Sequence, residues 1–405
     1  MFITNIHSSF LETERIIGQK EVIDRLLLLD KEDRVPHAML FVGPQGVGKM
    51  AVAYEFAKHL LTKNDERGNS AAMVERLSHP DLIFSFPVIR PRGTNSDHQM
   101  ESDDFRTEWN EMLNDGLYFD NFTWMQQMGA ENQQAIIGVG EANSLIRKLS
   151  LKSSQGGYKI NIIWQAEKMN QESANKLLKI IEEPPSKTIF ILTTEHPDLI
   201  LETIRSRTQR IDFKPIATAD LVQALIVKRS VAGEMANKVA RASGGSWLQA
   251  LQIISGSGER QEFLECFQHL MRTAYQKNVL ELKNWSQSCR QWGREKQKRF
   301  LEYCSMITRE CFMYNFNEPS LCYMTPTEEA FASKFARFIN ELNVIDFQSI
   351  YNTAIRDISR NASDNIVSWY NGDIKGGLYG GIADNGGTST NNTLNMYAAN
   401  KTVQY

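Results

Sequence analysis

The sequence predicts an α/β fold, a mostly parallel sheet flanked by helices around a phosphate loop, followed by helical domains. Three observations lead there. Short apolar runs alternate with segments of helical periodicity through the first half of the chain, the pattern of a parallel sheet covered by helices on its faces. The motif Gly43-Pro44-Gln45-Gly46-Val47-Gly48-Lys49 falls between one such run and one such segment. Beyond Pro215 the strand signals stop and helical ones dominate.

Taken in order, Val22, Ile23, Leu26 and Leu27 recur at helical spacing. Ala38-Met39-Leu40-Phe41-Val42 is an apolar run ending at a glycine and predicts a strand, and residues 50–61 resume a helical pattern. From about residue 90 to 134 the chain turns acidic, with Asp97, Glu101, Asp103, Asp104, Glu108, Glu111, Asp115 and Asp120. The aromatic residues of this insertion, Phe105, Trp109, Tyr118, Phe119, Phe122 and Trp124, need something to pack against, so a partly ordered excursion is expected. Regular structure resumes with an amphipathic helix over 139–149, a Gly156-Gly157 break and a strand over 160–163. A helix over 173–183 is stopped by Pro184-Pro185, and residues 188–194 form the next strand. The expected domains are 1–215, with the insertion at about 90–134; a small helical domain, 216–257; a second helical domain, 258–368; and a flexible Gly- and Asn-rich tail, 369–405.

The balance of 45 basic and 48 acidic residues, a net charge of −3, argues against a broad basic surface that binds nucleic acid alone. Any DNA contact is then local or shared. No apolar run approaches the roughly 18 residues of a membrane span, and the opening residues lack the blocks of a signal peptide, so a cytoplasmic protein without a membrane partner is expected. The five cysteines, Cys266, Cys289, Cys304, Cys311 and Cys322, form no close-spaced pair. They read as free thiols packed in a core, not as zinc ligands.

The glycines of the motif, Gly43, Gly46 and Gly48, let backbone N–H groups turn onto phosphates, and Lys49 neutralises their charge. The next residue should carry a hydroxyl for Mg²⁺, but it is Met50, whose thioether is a poor ligand for a hard cation. The strand over 160–163 should lead into a metal-binding Asp and a water-activating Glu, and it leads into Trp164-Gln165 instead. Loss of hydrolysis is expected, with ATP or ADP held without turnover and no metal site. The alternative reading is that a displaced carboxylate such as Glu167 takes over.

A set of further motifs carries a specific resemblance. They are Ile17-Gly18-Gln19, Val35-Pro36-His37-Ala38, His79-Pro80-Asp81, Gly156-Gly157-Tyr158-Lys159, the run from Ala174 to Lys179, Glu182-Glu183-Pro184-Pro185, Thr193-Thr194 and Ile204-Arg205-Ser206-Arg207-Thr208-Gln209. From about residue 12 to 255, the insertion excluded, the chain resembles the AAA+ clamp-loader subunits of DNA polymerase III, the delta-prime type among them. The resemblance implies an α/β P-loop AAA+ domain, a small helical lid and an all-α collar domain. It implies as partners motor (tau/gamma-like) subunits, the clamp-opening delta subunit, the sliding clamp, and primed DNA through the assembled complex. Ser206-Arg207-Thr208 stands where the family has Ser-Arg-Cys, and the resemblance implies that Arg207, beside Ser206, is an arginine finger reaching a neighbour's ATP. Without the resemblance Arg207 reads as a helix C-terminal cap. Leu248, in Gly245-Ser246-Trp247-Leu248, stands where motor subunits place a nucleotide-contacting arginine. The family's four-cysteine zinc module has no counterpart, because no cysteine precedes Cys266. These departures point to a stator-like subunit; an active motor-type ATPase and a pure interaction scaffold are the alternatives.

Overall fold

A computed structural model describes residues 15–359, apart from positions 64, 66, 67, 92, 96, 131, 132, 155, 156, 256, 257, 277, 291 and 318–321. The tail expected over 369–405 lies outside the described residues. Apolar periodicity decides the first elements: α1 (Lys20–Lys31) turns Val22, Ile23, Leu26 and Leu27 inward, and β1 (Ala38–Val42) is buried at every position. There follow α2 (Lys49–Thr62), α3 (Ser70–Glu75), β2 (Leu82–Ser85), α4 (Arg106–Asp115), α5 (Asn121–Gln127), α6 (Val139–Ser150) and β3 (Lys159–Ile163). The sheet domain closes with α7 (Gln171–Glu182), β4 (Thr188–Thr194), α8 (Glu202–Arg205) and β5 (Gln209–Asp212).

The five strands are parallel, in the order β2-β3-β4-β1-β5. The three inner strands are buried throughout, as strands covered by helices on both faces must be, and this is why their apolar runs stand out in the sequence. The two edge strands are additions to the sequence reading. β5, Gln209-Arg210-Ile211-Asp212, buries only Ile211, so its polar composition hides it. β2 has four residues, too few to establish a period.

The acidic insertion is built on aromatic packing. Trp109 of α4 and Trp124 of α5 are 1% and 0% exposed. Trp109 stacks on Phe86 at 4.0 Å between ring centroids and meets Trp124 edge-on at 5.3 Å, and the Trp124 indole N–H donates to the Pro87 carbonyl at 2.7 Å. Asp103, Asp104, Glu111 and Asp115 stay exposed, whereas Asp120 is buried because it caps α5, accepting from the Thr123 N–H at 2.7 Å.

The insertion is also tied to the sheet through Glu141 of α6, 1% exposed. Its carboxylate accepts from the Ser85 hydroxyl at 2.5 Å and from the Ser102 N–H at 2.6 Å, and Asn161 donates to the Ser85 hydroxyl at 3.1 Å. Burial pushes the Glu141 pKa up, partly offset by the hydrogen bonds from Ser85 and Ser102.

The chain divides into two compact units, residues 1–250 and 251–405. The first takes in α9 (Thr218–Arg229), α10 (Gly233–Ala242) and the start of α11 (Trp247–Ile254), so the division falls inside the segment expected as a separate small domain. The second unit holds α12 (Gly258–Tyr275), α13 (Val279–Arg290), α14 (Arg294–Tyr314), α15 (Pro326–Phe335) and α16 (Glu341–Ser359). Phe267, Leu270, Ile307 and Tyr351 centre its core, and Cys304 and Cys311 of α14 are fully buried in it as free thiols. Among the described residues no helix is long and apolar enough to cross a membrane.

Glu141 supplies a pH test. Its folded pKa lies above its unfolded value, so its contribution is fully present below the ordinary carboxylate range and is lost as pH rises through the raised pKa. Glu141→Gln keeps the shape without the titration. Relative to wild type it is expected to gain stability as pH rises from the ordinary carboxylate range toward the raised pKa, by up to about 1.4 kcal/mol per pH unit. Urea denaturation at stepped pH measures this, and parallel stability profiles would contradict it.

Candidate functional site

The inner strand β1 runs directly into the glycine loop. The Gly43 N–H donates to the Thr194 carbonyl of the neighbouring β4 at 3.3 Å, and the chain turns through left-handed backbone at Gly46 (φ 72°) and Gly48 (φ 100°) into α2. Gly48 is the N-cap of that helix, and no side chain hydrogen-bonds there. A helix start of this kind presents N–H groups and a positive dipole end to an anion.

Lys49 is 8% exposed. Its ammonium donates to the Gly43 carbonyl at 2.7 Å and to the Pro44 carbonyl at 2.6 Å. Burial pushes its pKa down, and the carboxylates of Glu195 and Glu167 pull the other way. The group that would meet a phosphate is therefore turned back onto its own loop.

Both left-handed glycines are covered by side chains. A Cβ on Gly46 would run into the Ser246 hydroxyl and lie 2.7 Å from the Cβ of Leu248, while the Trp247 N–H donates to the Gly46 carbonyl at 2.9 Å. A Cβ on Gly48 would lie 2.9 Å from the Tyr118 hydroxyl, which accepts from the Ile17 N–H at 2.9 Å. Burial raises the pKa of this phenol and keeps it neutral.

The positions expected to hold metal carry none of the needed groups. Met50 is buried in the core. Trp164, at the end of β3, is buried against Phe119 and Trp109, with ring centroids 5.1 and 5.5 Å away. Gln165 is buried in left-handed backbone (φ 53°). Glu167 accepts from the Glu195 N–H at 3.2 Å through Oε1, and its Oε2 is buried without a hydrogen-bond partner among the described residues. No cluster of three metal-ligating His, Cys, Asp or Glu side chains occurs among the described residues. The loop as it stands does not fit Mg²⁺-ATP: the lysine is engaged, the glycines are covered, and a tryptophan stands at the strand end.

Arg207 lies just past the four-residue helix α8, with 35% of its side chain exposed. Its guanidinium donates to the Thr203 carbonyl at 2.9 Å and pairs with Glu182, at the end of α7, at 3.0 Å. In this chain by itself the residue thus does cap the short helix. Ser206 is the C-cap position of α8; its hydroxyl donates to the Thr203 carbonyl at 3.3 Å, and that of Thr208 donates to Arg205 at 3.1 Å. The structure gathers Gly43, Gly46, Gly48 and Lys49 into one loop, whereas the contacts of Arg207 go to Thr203 and Glu182.

Two residues of the loop's surroundings escaped the sequence reading. Glu195 follows β4 directly, and the carboxyl end of a parallel strand is where such sheets place ligand-binding groups, so a signal existed. Tyr118 had none: its partner Ile17 is 101 residues away.

A parallel sheet in which an inner strand ends in a glycine loop, with a lysine opening the next helix, defines a P-loop fold. Residues 18–217 match the family model described as DNA polymerase III, delta subunit. The tau subunit of DNA polymerase III from Bacillus subtilis is 29% identical over 212 residues, 52% of this chain and 30% of that protein. The delta' subunit from Bacillus subtilis is 26% identical over 227 residues, 55% of this chain and 55% of that protein. Over these residues the chain is similar to the tau and delta' subunits of DNA polymerase III. The match spans about a third to about half the length of these relatives. A solved gamma subunit-related protein from Thermotoga maritima aligns over 87% of this chain and 98% of its own, at 14% identity and a TM-score of 0.40.

The packing on Gly46 is open to test. Gly46→Ala places a methyl group in left-handed backbone and against Ser246 and Leu248, and is expected to lower stability by about 2 kcal/mol or more. Chemical denaturation reads this directly, and an unchanged midpoint would contradict the contact.

Proposed function

We propose that the chain is a stator-like, delta-prime-type subunit of a cytoplasmic clamp loader, which helps place the sliding clamp on primed DNA and supplies Arg207 to the ATP site of a neighbouring subunit. The observation that carries this reading is a contrast within one domain. The chain's own loop has a retracted lysine, covered glycines and no metal ligands at Met50, Trp164 and Gln165, whereas Arg207 remains a partly exposed cation held by one carbonyl and one carboxylate.

Release of that arginine costs little. A surface ion pair such as Arg207–Glu182, half exposed on the glutamate side, contributes about 0–1 kcal/mol. A finger that stabilises charge on a transferred phosphate is worth roughly 10³ to 10⁵ in rate, or about 4–7 kcal/mol of barrier. The small cost of breaking the first leaves Arg207 able to swing to a neighbour's nucleotide, where it would act on the barrier. Motor subunits of the tau/gamma type, a clamp-opening delta subunit and the clamp are the partners this role needs, with DNA met through the assembly. ATP or ADP on the chain's own loop would be held without turnover.

A second reading, a working motor-type ATPase, draws on the place of Glu167 and Glu195 near Lys49. Against it, one Glu167 oxygen is engaged by the Glu195 N–H and Trp164 fills the end of the strand.

Reconstitution with motor subunits, delta subunit and clamp tests the finger. Arg207→Ala is expected to slow DNA-stimulated clamp loading by about 100-fold or more, and Arg207→Lys, which lacks the planar fork, to restore little. Loading and ATP hydrolysis at wild-type rates in Arg207→Ala would remove the assignment.

A further inference from the structure

We propose that the acidic insertion supplies the occupant of this chain's own phosphate loop: Tyr118 is a built-in plug that excludes nucleotide until its segment is withdrawn. This goes beyond the role given to Arg207 and does not depend on it.

The segment that carries Tyr118 joins α4 to α5 and is held at both ends by the buried Trp109 and Trp124. Its next residue, Phe119, meets Trp109 edge-on at 5.6 Å and packs on Trp164 at 5.1 Å. The tryptophan at the strand end thus serves as the anchor for the residue that follows the plug. The same segment places the Tyr118 phenol against Gly48, the N-cap of α2, where a Cβ would lie 2.9 Å from its oxygen and 3.4 Å from its ring carbons.

The chemistry of the contact resembles that of a bound ligand. A flat ring stands at the mouth of a phosphate loop, and its oxygen accepts a backbone N–H, that of Ile17, at 2.9 Å. A purine offers the same two features, a flat face and an acceptor at its edge. Ser246 and Leu248 cover Gly46, and Lys49 bonds to the Gly43 and Pro44 carbonyls of its own loop. Glycines in a phosphate loop are useful because they let a ligand approach the backbone closely. Here the close approach is made by the chain's own side chains. A nucleotide must first displace Tyr118, and its apparent affinity falls by the fraction of molecules in which the plug is out.

The test is a fluorescence titration of the full chain with N-methylanthraniloyl-ATP. Wild type is expected to bind weakly, and Tyr118→Ala about tenfold or more tighter, with unlabelled ATP competing and Lys49→Ala in the same background abolishing the gain. Equal affinity of wild type and Tyr118→Ala, whether weak or tight, overturns the proposal. If circular dichroism shows Tyr118→Ala unfolded, Tyr118→Phe decides: loss of the hydroxyl should speed hydrogen exchange at the Ile17 amide and raise affinity severalfold, and unchanged affinity overturns the plug. These readouts use the isolated chain, so a failed Arg207 experiment leaves them standing, and the reverse also holds.

Discussion

The retracted ammonium of Lys49 is the constraint on which the rest of the site depends. A charge this deeply buried must be compensated, and compensation comes from the Gly43 and Pro44 carbonyls, with the carboxylates of Glu167 and Glu195 adding their field. To bring those carbonyls onto the lysine the loop must curl through left-handed backbone, which glycine allows at positions 46 and 48. Those same two residues, bare of side chains, are where Leu248 and Tyr118 pack. One buried cation therefore links the sheet, the helices beyond residue 216 in the first unit, and the insertion.

The sheet explains why these pieces meet. β1 lies between β4 and β5, and all strands point the same way, so the loop, Glu195 after β4 and Trp164 after β3 all emerge at one end. In a hydrolysing site that end would hold oxygen ligands and a metal. Here the residue after β3 is an indole, and the polar end has become the edge of an aromatic cluster that runs through Trp109, Phe119 and Trp124. The rings at this end provide the insertion with its seat.

Much of this was legible in the sequence where burial or motif spacing enforces a pattern. The inner strands are apolar because helices cover both their faces, and the loop glycines place Met50 by simple counting, as the end of the strand places Trp164 and Gln165. Edge strand β5 was not legible, since three of its four residues face water or lie half-buried. Long-range contacts were not legible either. Tyr118 reads as one more aromatic residue until the fold brings it to Ile17 and Gly48, and the pairing of Arg207 with Glu182 spans 25 residues. Helix α8, four residues long, gives no periodic signal, so the sequence offers Arg207 as a helix cap without showing that Thr203 is its acceptor.

Loss of hydrolysis by the chain itself is the claim on which the division between a silent loop and a contributed arginine rests. Phosphate release from Mg²⁺-ATP by the purified chain, compared with Lys49→Ala, measures it most directly. A closed loop without metal ligands predicts no turnover above the uncatalysed background and no difference between the two proteins. Sustained turnover that disappears in Lys49→Ala would show that the site is a working ATPase.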